Sequence, residues 1–198
     1  MDSIDPLYDG LMKFINIFII KYKYENRGIL KKLRIDHRLN MKLDNEKWSE
    51  LFLYKSCYNH CAKFILLRYI EDSKLCYGKM NEKGVCKWKE LVKNISGKIS
   101  ILYEIAILDL QKDENEQIRK IFKYSDYDLF KIDDELANVL YEKFLHLDFS
   151  NFSKNDLVKI FERIYSLEER EEMRLDKFYK VAPVFSHLLS LDNQESIV

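Results

Sequence analysis

Apolar residues recur at intervals of three and four along most of this chain, and very few residues could turn it sharply. Leu7, Leu11, Phe14, Ile15, Phe18 and Ile19 form one such series. Trp48, Leu51, Phe52, Tyr54, Lys55, Tyr58, Cys61, Ala62, Ile65, Leu66 and Tyr69 form a longer one. A β-sandwich or barrel needs tight turns at short intervals. Five glycines and two prolines in 198 residues do not supply them. No segment sustains period-two alternation, so the expected fold class is all-α, an irregular multi-helix bundle. With 47% apolar and 14% aromatic residues, a packed core is available and the composition is not that of a disordered chain.

The spacing predicts a helix over 7–24, with Asp5 as its cap and Pro6 in its first turn. The segment after Glu25, broken at Gly28, reads as a loop or short helix. A strong helix is expected over 45–71, capped by Asp44 or Asn45, with one broad apolar face. The stretch 78–84 reads as a polar turn. A helix over 87–110 follows, with Gly97 as a kink or break and Ile101, Leu102, Ile105, Ala106 and Leu108 buried. Short helices and a loop fill 111–132. Asp133 and Asp134 then lead into a helix carrying Leu136, Val139, Leu140, Phe144 and Leu145, and 148–152 is a linker. Ser153 opens another helix, with Asp156 in the capping-box position and Leu157, Ile160, Phe161 and Ile164 as its buried stripe. Ser166 opens an acidic turn, and a last helix is expected over 183–191. The expected organisation is an N-terminal helix and basic segment over 1–44, a helical domain over 45–191 and a tail over 192–198.

Formal charge sums to zero, so net charge does not point to a polyanion or a membrane. Its distribution is uneven. Between Lys21 and Lys42 there are eight bases and two acids, whereas between Leu110 and Asp176 there are 17 acids and 11 bases. Such a molecule can orient on a polyanion or pair head to tail, or simply carry two solvated faces. The apolar patch from Phe14 to Ile20 is too short to span a membrane and is flanked by Lys13 and Lys21. No secretory signal is recognisable, and four cysteines without a regular framework fit free thiols in a reducing cytoplasm.

Local chemistry is sparse. Cys57, His60 and Cys61 share a helix face, with Cys76 and Cys86 further on, so a zinc site is conceivable. Against it, no Cys-x-x-Cys pair occurs, and Cys57 and Cys61 also fit as small core residues. His37, His146 and His187 stand alone in sequence. Gly-rich phosphate or dinucleotide loops and a Gly-x-Ser-x-Gly elbow are lacking. The adjacent carboxylates Asp133–Asp134, Glu168–Glu169 and Glu171–Glu172 read as charged helix starts.

The C-terminal third adds a resemblance. Ile160-Phe161-Glu162 is followed by Glu169-Arg170 and then by Phe178-Tyr179. This order resembles the approach to the catalytic core in adenine-specific DNA methyltransferases of the type IIG and type I restriction-modification kind. There, an Ile-Tyr-Glu-like triplet and a Glu-Arg pair precede a Gly-x-Phe-Tyr-Thr-Pro stretch. Upstream, Arg68-Tyr69-Ile70-Glu71-Asp72 resembles an Arg-x-x-Glu-Asp helix end of the helical N-terminal region. Asp148-Phe149-Ser150 resembles the linker before the triplet helix. The likeness spans about residues 45–191. It departs from the family where Asp176, Lys180 and Val181 replace the glycine, threonine and proline.

The resemblance implies a helical N-terminal domain or fragment of such an enzyme, in restriction-modification or phage defence. It implies S-adenosylmethionine as the cofactor of a complete family member, with Phe178 and Tyr179 beside it. The family's Gly-rich cofactor motif and Asn-Pro-Pro-Tyr motif do not occur in this sequence, so methyl transfer by this chain alone is not expected. Double-stranded DNA and a methyltransferase core or other restriction-modification subunit are the implied partners, with no membrane partner. Lys31, Lys32, Arg34 and Arg38 are the candidate phosphate contacts. The competing expectation is a non-enzymatic protein–protein interaction module that presents an aromatic face from among Tyr22, Tyr24, Tyr54, Tyr58 and Tyr69. A stand-alone enzyme of another type is the least supported.

Overall fold

Residues 4–25, 28–38, 44–93, 99–164 and 171 are described by a computed structural model. Among them the chain is all-α, without a strand. Eight α-helices follow in order: α1 (Ile4–Tyr22), α2 (Gly28–Arg38), α3 (Asn45–Asp72), α4 (Glu82–Leu91), α5 (Ile99–Leu110), α6 (Glu116–Phe122), α7 (Asp134–Phe144) and α8 (Lys154–Ile164). Short 3-10 turns at Asp126–Asp128 and Phe149–Asn151 flank α7.

Polar side chains set most of the helix starts by accepting otherwise unpaired backbone N–H groups. Asp44 accepts from the Lys47 amide at 2.8 Å, and Asn81 from the Gly84 amide at 3.0 Å. Asp133 accepts from the Leu136 amide at 3.2 Å. Ser153 and Asp156 form the expected reciprocal box: the Ser153 amide donates to Asp156 at 3.0 Å and the Asp156 amide to Ser153 Oγ at 3.2 Å. At the other end of α3, Lys74 takes the left-handed conformation (φ 61°). The Lys74 amide then reaches Glu71 O and the Leu75 amide Ile70 O, closing the last turn.

α3 is the axis of the molecule. It packs against α1, α2 and both 3-10 turns, while α1 also lies along α7 and α8, and α5 along α7. Every residue of α3 from Lys55 to Glu71 is buried. The expected single apolar face is therefore a correction: the helix is enclosed on all sides, because its charged residues find partners inside. The aromatic face is corrected in part. Tyr58 and Tyr69 are buried, Tyr22 and Tyr54 are half-buried, and only Tyr24 of the five is open to solvent.

Other boundaries moved for identifiable reasons. α1 begins at Ile4, so Asp5 lies inside its first turn, and its carboxylate pairs with Arg163 of α8 at 2.9 Å. The basic segment after Gly28 is a full helix, seated through Leu30 and Leu33. α4 starts at Glu82, inside the stretch expected to be a turn, because Asn81 caps it. A Cβ on Gly84 would come within 2.4 Å of Lys79 O, so glycine permits that tight start. The helix expected over 87–110 is two helices, and Gly97 lies outside the described residues. Leu102 and Ala106 face the core, but Ile101 and Leu108 are 40% and 44% exposed and Ile105 is half-buried. Apolar residues of α5 are spread around the helix, so periodicity could not choose its inner face. The Ser166 turn and the helix expected over 183–191 lie outside the described residues.

α1 and α7 approach each other closely at Gly10 of α1. A Cβ there would sit 2.5 Å from two ring carbons of Phe144 on α7. Phe144 is itself fully buried against Phe64 (centroids 5.3 Å) and Phe149 (6.2 Å), so it has nowhere to move. Gly10→Ala is expected to lower the unfolding free energy by roughly 1–2 kcal/mol, because overpacking outweighs the helix-propensity gain of about 1 kcal/mol. Urea denaturation checks this; a stabilised variant would mean α1 and α7 are further apart than described.

Candidate functional site

The charged residues buried in α3 form two networks, one around its middle and one at its end. In the middle, the Lys63 ammonium contacts both Asp128 oxygens, at 2.7 and 2.8 Å, and donates to Lys123 O at 3.2 Å. Asn59 donates to Asp128 at 2.8 Å, and the Ser125 amide does so at 2.7 Å. Burial alone would raise the Asp128 carboxyl, but the Lys63 charge and these hydrogen bonds bring it below its ordinary range. Burial pushes Lys63 down, opposed by Asp128. The two groups compensate each other.

His60 lies one turn away, 6% exposed, with Nε2 2.7 Å from Phe130 O. A carbonyl only accepts, so Nε2 carries the proton. Burial drives the imidazole down to about 4, and the ring is neutral at physiological pH. These groups border a cavity of about 180 Å³ between α3, α5 and the segment that precedes α7. Tyr103, Ile107, Leu108, Tyr124 and Ile132 complete much of its wall.

At the end of α3, Arg68 is 2% exposed and spends its guanidinium on the chain that follows α7. It donates to Phe144 O at 2.8 Å and Leu147 O at 2.7 Å, pairs with Asp72 at 3.0 Å and lies 4.9 Å over the Phe149 ring. Asp72 accepts from the Phe149 amide at 2.9 Å. Next to it, buried Glu71 accepts from the amides of Lys79, Met80 and Asn81, at 2.8–3.0 Å. Burial raises the Glu71 carboxyl, and those amides together with Arg68 work against the rise. Removing one member of such a network strands the others without water.

Sequence-predicted residues fall in different places. Lys31 and Lys32 are exposed on α2. Arg34 and Arg38 lie on the same helix, with side chains outside the described residues, as are Phe178 and Tyr179 altogether. Lys21, at the start of the basic stretch, is already engaged with the beginning of α7. It contacts Asp133 at 2.5 Å and Glu135 at 2.7 Å, and these two carboxylates raise its pKa. Part of the basic front and acidic back thus neutralise each other within the molecule. Cys57 and Cys61 are buried core residues and His60 is bonded to Phe130 O. Cys86 is exposed, while burial pushes the Cys76 thiol up to about 12. Among the described residues no group of three or more His, Cys, Asp and Glu could hold a metal ion, and no helix is long and apolar enough to cross a membrane. Sequence reasoning missed the Lys63–Asp128–Tyr103 grouping. The available signal was a lysine and a histidine inside an otherwise apolar helical series. No family model, curated protein or solved structure matches the chain.

The neutral His60 has a pH consequence. Above 6.5 both the folded and the unfolded chain hold the ring neutral. As pH falls the unfolded chain protonates first, and the folded one only near 4, so stability declines through that window. The shift corresponds to about 3 kcal/mol. His60→Gln keeps an N–H for Phe130 O and removes the titration. Between pH 6.5 and 4 the wild type should lose about 3 kcal/mol more than this variant in urea unfolding. Equal losses in the two proteins would show that His60 is not buried neutral.

Proposed function

We propose that this chain is the helical N-terminal region of an adenine-specific DNA methyltransferase of the type IIG or type I restriction-modification kind. In that role it contributes DNA and intersubunit contacts rather than the methyl-transfer chemistry itself. The observation that carries this reading is the meeting of segments on which the resemblance rests. Arg68 and Asp72, far from Phe149 in sequence, hold its amide, its ring and the carbonyl of Leu147. The triplet Ile160-Phe161-Glu162 buries its first two members and exposes the third, and Phe161 packs on Tyr58 of α3 with centroids 5.1 Å apart. In the enzymes that the sequence resembles, the triplet helix leads towards the catalytic domain. Here α3 would fix the direction of that helix through the 147–152 junction.

The DNA contribution falls to α2. Leu30 and Leu33 seat it on the core, and Lys31 and Lys32 stand in solvent, where phosphates can reach them. Exposed Ile20, Tyr24 and Ile35 lie in the same stretch of chain and favour a second reading, a protein-interaction module. Salt dependence separates the two. Duplex DNA binding by the chain should weaken as salt rises, and Lys31→Glu/Lys32→Glu should flatten the log–log slope by about 2, at ~0.9 per phosphate contact. Fluorescence anisotropy with a labelled duplex measures it. Absence of binding at low salt, or an unchanged slope in the double variant, would remove α2 from DNA contact and favour the interaction module.

A further inference from the structure

The cavity beside the Lys63–Asp128 pair has features of a ligand site that packing alone does not require. Tyr103, on α5, is 5% exposed, yet its hydroxyl has no hydrogen-bond partner among the described residues. That hydroxyl is not among the polar atoms sealed inside the protein, so it reaches the cavity that the residue lines. His60 is in a similar position. With Nε2 committed to Phe130 O, Nδ1 is an unprotonated acceptor to which no described group donates, and it too is not sealed within the protein. One acceptor and one hydroxyl, both on deeply buried residues, therefore border the same space. Both face the cavity, so a molecule that offers a matching donor and acceptor can take the place of water at the two positions.

The electrostatics restrict which molecule. Lys63 and Asp128 satisfy each other, and Asn59 and Ser125 occupy the remaining carboxylate positions, so the polar end carries no net charge. Glu104 and Lys131, at the rim, face each other at 3.7 Å. A charged ligand would lose its hydration and meet no uncompensated opposite charge. The rest of the wall is apolar, and Leu108 and Tyr124 are 44% and 62% exposed at the mouth. A volume of about 180 Å³ exceeds the roughly 150 Å³ of an apolar protein cavity known to take benzene.

We propose that this cavity binds a small uncharged aromatic or heterocyclic molecule whose substituent carries both a donor and an acceptor, with the ring against Ile107, Leu108 and Ile132. The substituent donates to His60 Nδ1 and accepts from the Tyr103 hydroxyl. This site is independent of DNA contact by α2 and stands or falls separately.

Benzamide is the test probe, with toluene as the apolar control and benzoate as the charged one. Saturable chemical-shift changes of the Ile107, Leu108 and Ile132 methyls in the full chain report binding. Benzamide is expected to bind in the millimolar range and benzoate at least several-fold more weakly. Tyr103→Phe removes only the unpartnered hydroxyl and keeps the ring against Phe64. It should weaken benzamide about 2- to 10-fold and leave toluene unchanged. Leu108→Trp, at the exposed mouth, should abolish the response to both without disturbing the core. Overturning results are no saturable shift at these methyls, benzoate binding as well as benzamide, or a Tyr103→Phe variant with unchanged benzamide affinity. Any of these would leave the cavity as a water-filled recess.

Discussion

The interaction on which most of this structure depends is the satisfaction of charged side chains inside α3 by backbone and carboxylate groups of distant segments. A helix enclosed on every side normally carries apolar residues all round. Here Lys63, Arg68 and Glu71 are as buried as the leucines beside them, and each holds a different stretch of chain. Lys63 holds the turn at 123–128, Arg68 the exit of α7, and Glu71 the start of α4. In a bundle with no sheet among its described residues, these contacts fix where the connecting segments run. The apolar core supplies the driving force, whereas the buried charges choose one arrangement of loops.

That division explains how α8 and α5 are placed. Because Arg68 and Asp72 capture the chain at Phe144, Leu147 and Phe149, the polypeptide leaves α7 in one direction and enters α8 with Phe161 against Tyr58. At the middle of α3, the Lys63–Asp128 pair holds the segment before α7 on α3, and the cavity lies between that segment, α3 and α5. The junction towards α8 and the cavity are thus two results of the same device, acting at different turns of one helix.

Much of the fold was legible in the sequence. The limits of α3 and the caps at Asp44, Asp133 and Ser153–Asp156 follow from spacing and side-chain chemistry. The inner face of α5 was not legible, because Ile101, Ile105 and Leu108 look as fit for the core as Leu102 and Ala106; only the position of α7 and α6 decides. The start of α4 was hidden because Gly84 looks like a turn residue, whereas it is needed for close approach to Lys79. The site was legible only in part. Arg68, Asp72 and Phe149 stood out through a resemblance, but nothing local links Lys63 to Asp128 or brings Tyr103 and His60 to one cavity. Those relations are made by long-range packing, and periodicity carries no information about them.

Native-state hydrogen exchange tests most directly whether the connecting segments are anchored on α3. The amides of Met80 and Phe149 lie outside α-helices but donate to Glu71 and Asp72. They should exchange through openings whose free energy falls within about 1 kcal/mol of that for the amides of Ile65 and Leu66 in the centre of α3. Exchange of Met80 and Phe149 at the rate of exposed loop amides, while Ile65 and Leu66 stay protected, would contradict the account.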